Sequence, residues 1–284
     1  MVSEIKFDRK IKVSFNDEKS IEKLRMRFRV ERVIGDSYSN LKLEIYNLIL
    51  KKEGESESIF KEGDKVLVEA GYHRNISTLF TGSIRNIQVV KEGVDTITTV
   101  FASDLNTASE PVVNVSYRQQ TSLVSLLSDI AFEADISIAE ISVKENNLKG
   151  SVSYSKKFSL IMDSLADTYN FYWYIFNFDL YIYDNDSANS NKEILKIDAS
   201  TGLLETPVLT QKGIDIKMLL EPSVRPNDRY IVSSVGLVFS QGRLETSQAV
   251  IQGRGLQSAL SVIHTGDTHN NTWFTEIEGI RVNG

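Results

Sequence analysis

Three histidines and a complete absence of cysteine limit the chemistry open to this chain. Without thiols there is no disulfide framework, no cysteine-ligated metal and no cysteine nucleophile. His264, Asp267 and His269 stand together in the segment His-Thr-Gly-Asp-Thr-His, and these residue types supply the lone pairs that a divalent metal needs. No fourth ligand can be named beside them. Gly266 and Asn270-Asn271 mark a hairpin loop instead, so a loop tip is the expectation. Arg25, Arg27 and Arg29 form the one ordered basic stripe. The residues between them, Met26 and Phe28, belong to the buried side, so the stripe lacks the exposed aromatics on which bases stack. A subunit or partner interface is expected there, because the arginine fork pairs well with carboxylates.

Other motifs fail on context. Gly35-Asp36-Ser37-Tyr38 resembles the signature of GDS-type serine esterases, but a period-two strand follows Ser37 where that chemistry wants a helix. The downstream Asp-x-x-His of those enzymes is missing too, so a tight turn is expected. Asp184-Asn185-Asp186 opens like a calcium loop yet lacks the obligatory glycine, and Leu195 stands at the closing glutamate position. Gly253-Arg254-Gly255 has neither the third glycine nor the βαβ setting of a dinucleotide site. With 38 acidic residues, no carboxylate pair singles itself out. The expectation is a chain with no catalytic residue, no cofactor and no metal.

At 284 residues, the chain is long enough for about two domains of roughly 150 residues each. Its 41% hydrophobic and 25% charged residues are those of an ordinary folded protein. A net charge of -6 argues against a surface that binds a polyanion throughout. The first ten residues alternate charge with single apolar residues and offer no secretory core, so synthesis in the cytoplasm is expected. No apolar run approaches the ~20 residues of a membrane span.

Elements follow from periodicity. Leu24 to Val33 alternate as a half-buried strand, and Leu41, Leu43 and Ile45 return as its hairpin partner. Further strands are predicted over 65–72, 79–84 and 95–101, giving an all-β unit over 1–110. Thr121 is expected to cap a helix bearing Leu123, Leu126, Leu127, Ile130 and Ala131. A second helix carries Phe158, Ile161, Met162, Leu165, Ala166 and Tyr169 as one apolar stripe. It must pack on something flat, and the hairpin Phe171 to Phe176 with Leu180 to Tyr183, turned at Asn177-Phe178-Asp179, supplies that surface. These form an α+β unit over 111–196. Strands return from Ile194 onward, at 195–197, 213–218, 229–239, 248–251, 258–264 and 272–280, the last unit spanning 197–284. Basic against acidic residues number 18 to 18, 7 to 11 and 7 to 9 in the three units, so the acidity lies in the second and third.

In combination, these segments resemble the central baseplate hub proteins of tailed phages and contractile injection systems, the late-control-D or Mu-like hub family. Phe28-Arg29-Val30, Leu43 to Leu48, Val68 to Tyr72, Leu79 to Ile84 and Ala102-Ser103-Asp104 are similar to its first barrel. Gln120-Thr121-Ser122-Leu123, then Phe158 to Tyr169 with its hairpin, are similar to its α+β insert. Thr201 to Pro207, Gly213-Ile214, Leu219 to Pro222, His264 to Thr268 and Trp273 to Thr275 resemble its second barrel.

The resemblance implies a β-rich α+β fold with two β-barrel-like domains flanking an outward-projecting insert. It implies a homotrimeric ring of pseudo-sixfold symmetry joining a sixfold tail tube to a threefold central spike. The tape-measure protein and DNA would pass through its channel without specific binding, and its place would be the virion baseplate. It gives His264 to His269 and Trp273 a structural role. Alternatives are a tail-associated enzyme that degrades cell wall, or a glycan-binding protein using the aromatics around Tyr172 to Tyr174; burial of Trp173 would weaken the latter.

Overall fold

The computed structural model describes residues 8–16, 19–34, 38–50, 59–73, 75–105, 110–144, 147–184, 193–234, 236, 238–239 and 255–282. Seven strands come first: β1 (Arg9–Phe15), β2 (Lys19–Ile21), β3 (Met26–Val33), β4 (Asn40–Tyr46), β5 (Lys65–Tyr72), β6 (Asn75–Glu92) and β7 (Asp95–Ser103). The alternation of β3 is kept, with Met26, Phe28 and Val30 buried in a core that includes Val13, Leu43, Val68, Phe80 and Val100. The expected strand at 79–84 is part of the longer β6, which bends at a bulge between Ile84 and Asn86.

Next come β8 (Val112–Tyr117), α1 (Leu123–Glu133), β9 (Ser137–Ser142), β10 (Val152–Lys157), α2 (Phe158–Tyr169), β11 (Phe171–Phe176) and β12 (Asp179–Asp184). The cap of α1 is Ser122, not Thr121: the Ser122 hydroxyl accepts from the Ser125 N–H, while Thr121 Oγ1 donates back to the Arg118 carbonyl. Helix α2 ends at Asn170, whose left-handed backbone (φ 56°) carries the chain directly into β11. Its apolar stripe meets the hairpin as the spacing predicts. Phe158 lies edge-on to Trp173 with ring centroids 5.4 Å apart, and the Trp173 indole N–H donates to Asp163. The hairpin turn places Asn177 and Phe178 both at positive φ, the mark of a type I′ turn.

The last strands are β13 (Leu195–Ile197), β14 (Val208–Leu209), β15 (Ile214–Leu219), β16 (Arg229–Val232), β17 (Val238–Phe239), β18 (Gln257–Asp267) and β19 (Trp273–Arg281). The expected strand at 248–251 lies outside the described residues. Among the described residues no helix is long and apolar enough to cross a membrane.

The two β units do not close as separate barrels. Their strands follow one open path, β17-β14-β15-β19-β18-β3-β4-β7-β6-β5-β1-β2, with β13 and β16 beside it. The reason lies in β18. One edge pairs with β19 along its length, and the other is divided: Gln257 and Ser258 face β16, while Ser261 to Asp267 face β3 from Val33 to Arg27. An edge spent on the opposite unit cannot close its own.

Candidate functional site

The arginine stripe sits where the units join. Arg25 precedes β3, and Arg27 stands opposite Asp267 in the β3–β18 ladder. Arg27 Nε donates to Asp267 Oδ2 at 2.8 Å and Arg25 Nη2 to the same oxygen at 3.2 Å, with both guanidiniums over the Tyr46 ring. Burial pushes the Asp267 carboxyl up, but the His269 N–H and the two guanidiniums outweigh it and hold the group below the usual carboxylate range. The hydrogen bond to Asp267, more than the opposing burial, raises the Arg27 pKa. Two members of the stripe therefore tie the units together within one chain. Arg29 is exposed, within 3.5 Å of Glu31.

His264 and Asp267 are not at a loop tip but inside β18, and only 268–272 form the connection to β19. Three positions apart on a strand, they point to opposite faces and cannot share a metal. His264 is fully buried with Nδ1 2.9 Å from Thr275 Oγ1, and burial followed by the charge of Arg32 holds its pKa well below the usual value. It is a neutral core histidine. His269 Nδ1 lies 2.9 Å from Thr268 Oγ1. Gly266 belongs to the same design, because a methyl group there would run into the rings of Phe28 and Trp273, which cross edge-on at 5.3 Å. Among the described residues no group of three acidic or histidine side chains is placed to hold a metal.

A second constellation gave weaker sequence signals. All six residues of β11 are buried, because both its faces are covered: Phe171, Trp173 and Ile175 pack under α2, while Tyr172, Tyr174 and Phe176 form a separate cluster with Tyr183. That second face meets both β units. Arg32 from β3 lies over Phe176 at 4.7 Å, and Arg225 lies over the same ring at 4.5 Å while donating to the Tyr181 hydroxyl. Tyr174 donates to the Pro226 carbonyl, Ser39 reaches the Ile175 carbonyl, and the Thr81 N–H donates to Asn177 at the hairpin tip. The hairpin is thus clamped between the β units rather than projecting from them, and the burial of Tyr172, Trp173 and Tyr174 weakens the glycan-binding alternative. Arg32 donates to the Leu79 carbonyl, and burial lowers its pKa to about 10. Asp104, which accepts from the Ser39 N–H at 2.7 Å, is pushed up to about 7 by burial, against the pull of Ser39 and Arg32.

The other sequence candidates are dispersed. Residues 35–37, 185–192 and 253–254 lie outside the described set. Asp184 pairs with Lys144 at 3.1 Å. Shallow grooves lie along the outward face of the joined sheet. Arg27, Arg29, Lys42 and Glu44 line one, Arg29, Glu31, Lys42 and Arg85 another, and Glu205, Asp215, Lys217, Glu276 and Glu278 a third. Cations outnumber carboxylates in the first two grooves, where Asp267 joins Glu44 in the first, and carboxylates outnumber the single cation in the third.

Residues 12–235 match the model of the family described as baseplate hub gp41. No curated protein matches the sequence. The 43 kDa tail protein of prophage MuSo2 from Shewanella oneidensis is similar in structure, with a TM-score of 0.62 at 9% identity over 96% of this chain and 98% of that one. A tail protein from Neisseria meningitidis MC58 gives 0.61 at 10% identity over 97% of each chain. The E. coli c3393 protein, described as a type VI secretion component similar to T4 tail proteins gp27 and gp5, gives 0.62 at 10% identity over 95% of this chain and 77% of that one. At such identities the likeness is one of fold.

Proposed function

From the premise that this chain belongs to the baseplate hub gp41 family and is a structural protein of the phage tail, we propose that it acts as a homotrimeric adaptor. Three copies, each with two β units at 1–110 and 197–284, make six similar wall segments that meet a sixfold tail tube on one side and a threefold spike on the other. The insert at 111–196 braces each pair. Its work is assembly rather than catalysis. The observation that carries this reading is the β3–β18 ladder, which joins the strands of the two β units in a single sheet.

The partners are further copies of the chain, the spike, the tube or distal tail proteins, and the tape-measure protein. DNA passes through the central channel unbound, since a chain of net charge -6 gives a passing polyanion little to hold. Arg29 is the member of the basic stripe best placed for a subunit contact, with Arg25 and Arg27 shaping the surface beside it. Electron micrographs of purified particles labelled on this chain test the role: a ring around the spike is expected, and label confined to the tail fibres or head would overturn it.

A further inference from the structure

Strand β6 outlasts one of its partners. β5 pairs with it only from Asn75 to Ser83, whereas β7 follows it to Glu92. Beyond the bulge, from Asn86 to Glu92, no strand among the described residues lies along its outer side. The direction of the backbone groups there can be worked out. Asn47 N–H donates to the Thr96 carbonyl at 2.7 Å, so Thr96 faces β4. Alternation turns Ile97 toward β6 and turns its partner Val90 toward β7. Ile87, Val89 and Lys91 therefore aim their N–H and C=O groups at the open edge.

This edge is held in strand geometry before anything binds. Gly93 (φ 62°) and Val94 make a two-residue II′-type turn between the paired Glu92 and Asp95. The Asn47 side chain clamps that end, accepting from the Thr96 N–H at 2.9 Å and donating to Asp95 at 2.9 Å. Pre-organisation lowers the ordering cost of binding. The edge also exposes one valine on each face, Val89 at 53% and Val90 at 52%. Natural proteins normally blunt or cover such an edge. Along the sequence, Ile87 and Val89 are bracketed by two cations, Arg85 at the bulge, which lies over the Tyr38 ring at 5.5 Å, and Lys91 near the tip, followed by Glu92.

We propose that this edge accepts an added β-strand from another protein, an extended segment with two alternating apolar residues flanked by carboxylates. Backbone bonds to Ile87, Val89 and Lys91 give affinity, and the bracketing cations select acidic flanks. A second copy offering its own β6 edge is the weaker candidate, because pairing two identical edges antiparallel is a twofold contact; that step rests on the threefold reading above.

The test uses the full chain and a labelled peptide, acetyl-Asp-Thr-Val-Thr-Val-Thr-Asp-amide, followed by fluorescence anisotropy. Binding to the wild type is expected. Val89→Pro removes an edge-facing N–H while sparing the β6–β7 ladder, and should weaken binding by about tenfold or more with an unchanged circular dichroism spectrum. A peptide with lysine at both flanks should bind the wild type more weakly and regain affinity for Lys91→Glu. Failure of the wild type to bind, or equal binding by V89P, overturns the proposal. So does a change in V89P particle mass by light scattering, which would give the edge to a second copy. Peptide binding is read on whatever oligomer forms, so a failure of the trimer reading leaves this result standing.

Discussion

Replacing Asp104 by asparagine should leave stability near pH 4 almost unchanged and raise it as pH approaches neutrality. Asp104 directly follows β7, hydrogen-bonded to Ser39, and is 3% exposed. Burial raises its carboxyl from an ordinary 3.8 to about 7 in the folded chain. A group raised in this way holds its proton in the native state and releases it when the chain unfolds, so the fold loses stability as pH rises from about 4 to about 7 and is level above that. A gap of that width corresponds to on the order of 4 kcal/mol for a group this deeply buried. The amide of the variant would keep an oxygen for the Ser39 N–H and cannot ionise.

Urea unfolding of both proteins at intervals from pH 4 to pH 8, followed by tryptophan fluorescence, isolates the effect, because the remaining carboxylates cancel in the difference. The variant should match or fall slightly below the wild type at pH 4 and gain on it steadily. By pH 8 it should be ahead by about 2–4 kcal/mol, a figure that already includes the attraction between the ionised Asp104 and Arg32. A wild-type-minus-variant difference that stays constant over this range would refute the reasoning.

Other perturbations test the joined sheet and the clamp. Gly266→Ala should cost about 1–3 kcal/mol, because a methyl group has no room beneath Phe28 and Trp273; a thermal scan showing no loss would remove the packing argument. Asp267→Asn should lower the melting temperature near pH 7. The deficit should close as pH falls through the depressed carboxylate pKa, since that ion pair contributes only while Asp267 is charged. Trp173→Ala should cost about 3–5 kcal/mol and loosen the insert, seen as faster amide exchange in α2 and β11, whereas an unperturbed exchange pattern would contradict the packing of Trp173 against Phe158.

Local periodicity carries most of what is legible in the sequence. The alternation of β3, the return of β4 and the stripe of α2 depend on neighbours within a few residues, and all three appear where the spacing puts them. What escapes is long-range. Nothing in Arg27 or Asp267 alone announces that they face each other across a ladder joining opposite ends of the chain. Without that ladder the natural inference is two closed barrels, and with it the sheet stays open. The run Phe171 to Phe176 is equally ambiguous as text, since six consecutive aromatic and aliphatic residues suit an exposed platform or a strand covered on both sides. One signal was available for the junction. Arg32 continues the Met26, Phe28, Val30 face, and a charge on an apolar face needs a buried partner or a second layer, which the hairpin and Asp104 supply.

The central claim is that this chain builds a threefold ring. Size-exclusion chromatography with multi-angle light scattering, at micromolar concentration and with the spike protein added, addresses it directly. A particle containing three copies of the 32.0 kDa chain is the predicted result. A chain that remains monomeric throughout, with and without the spike, would contradict it.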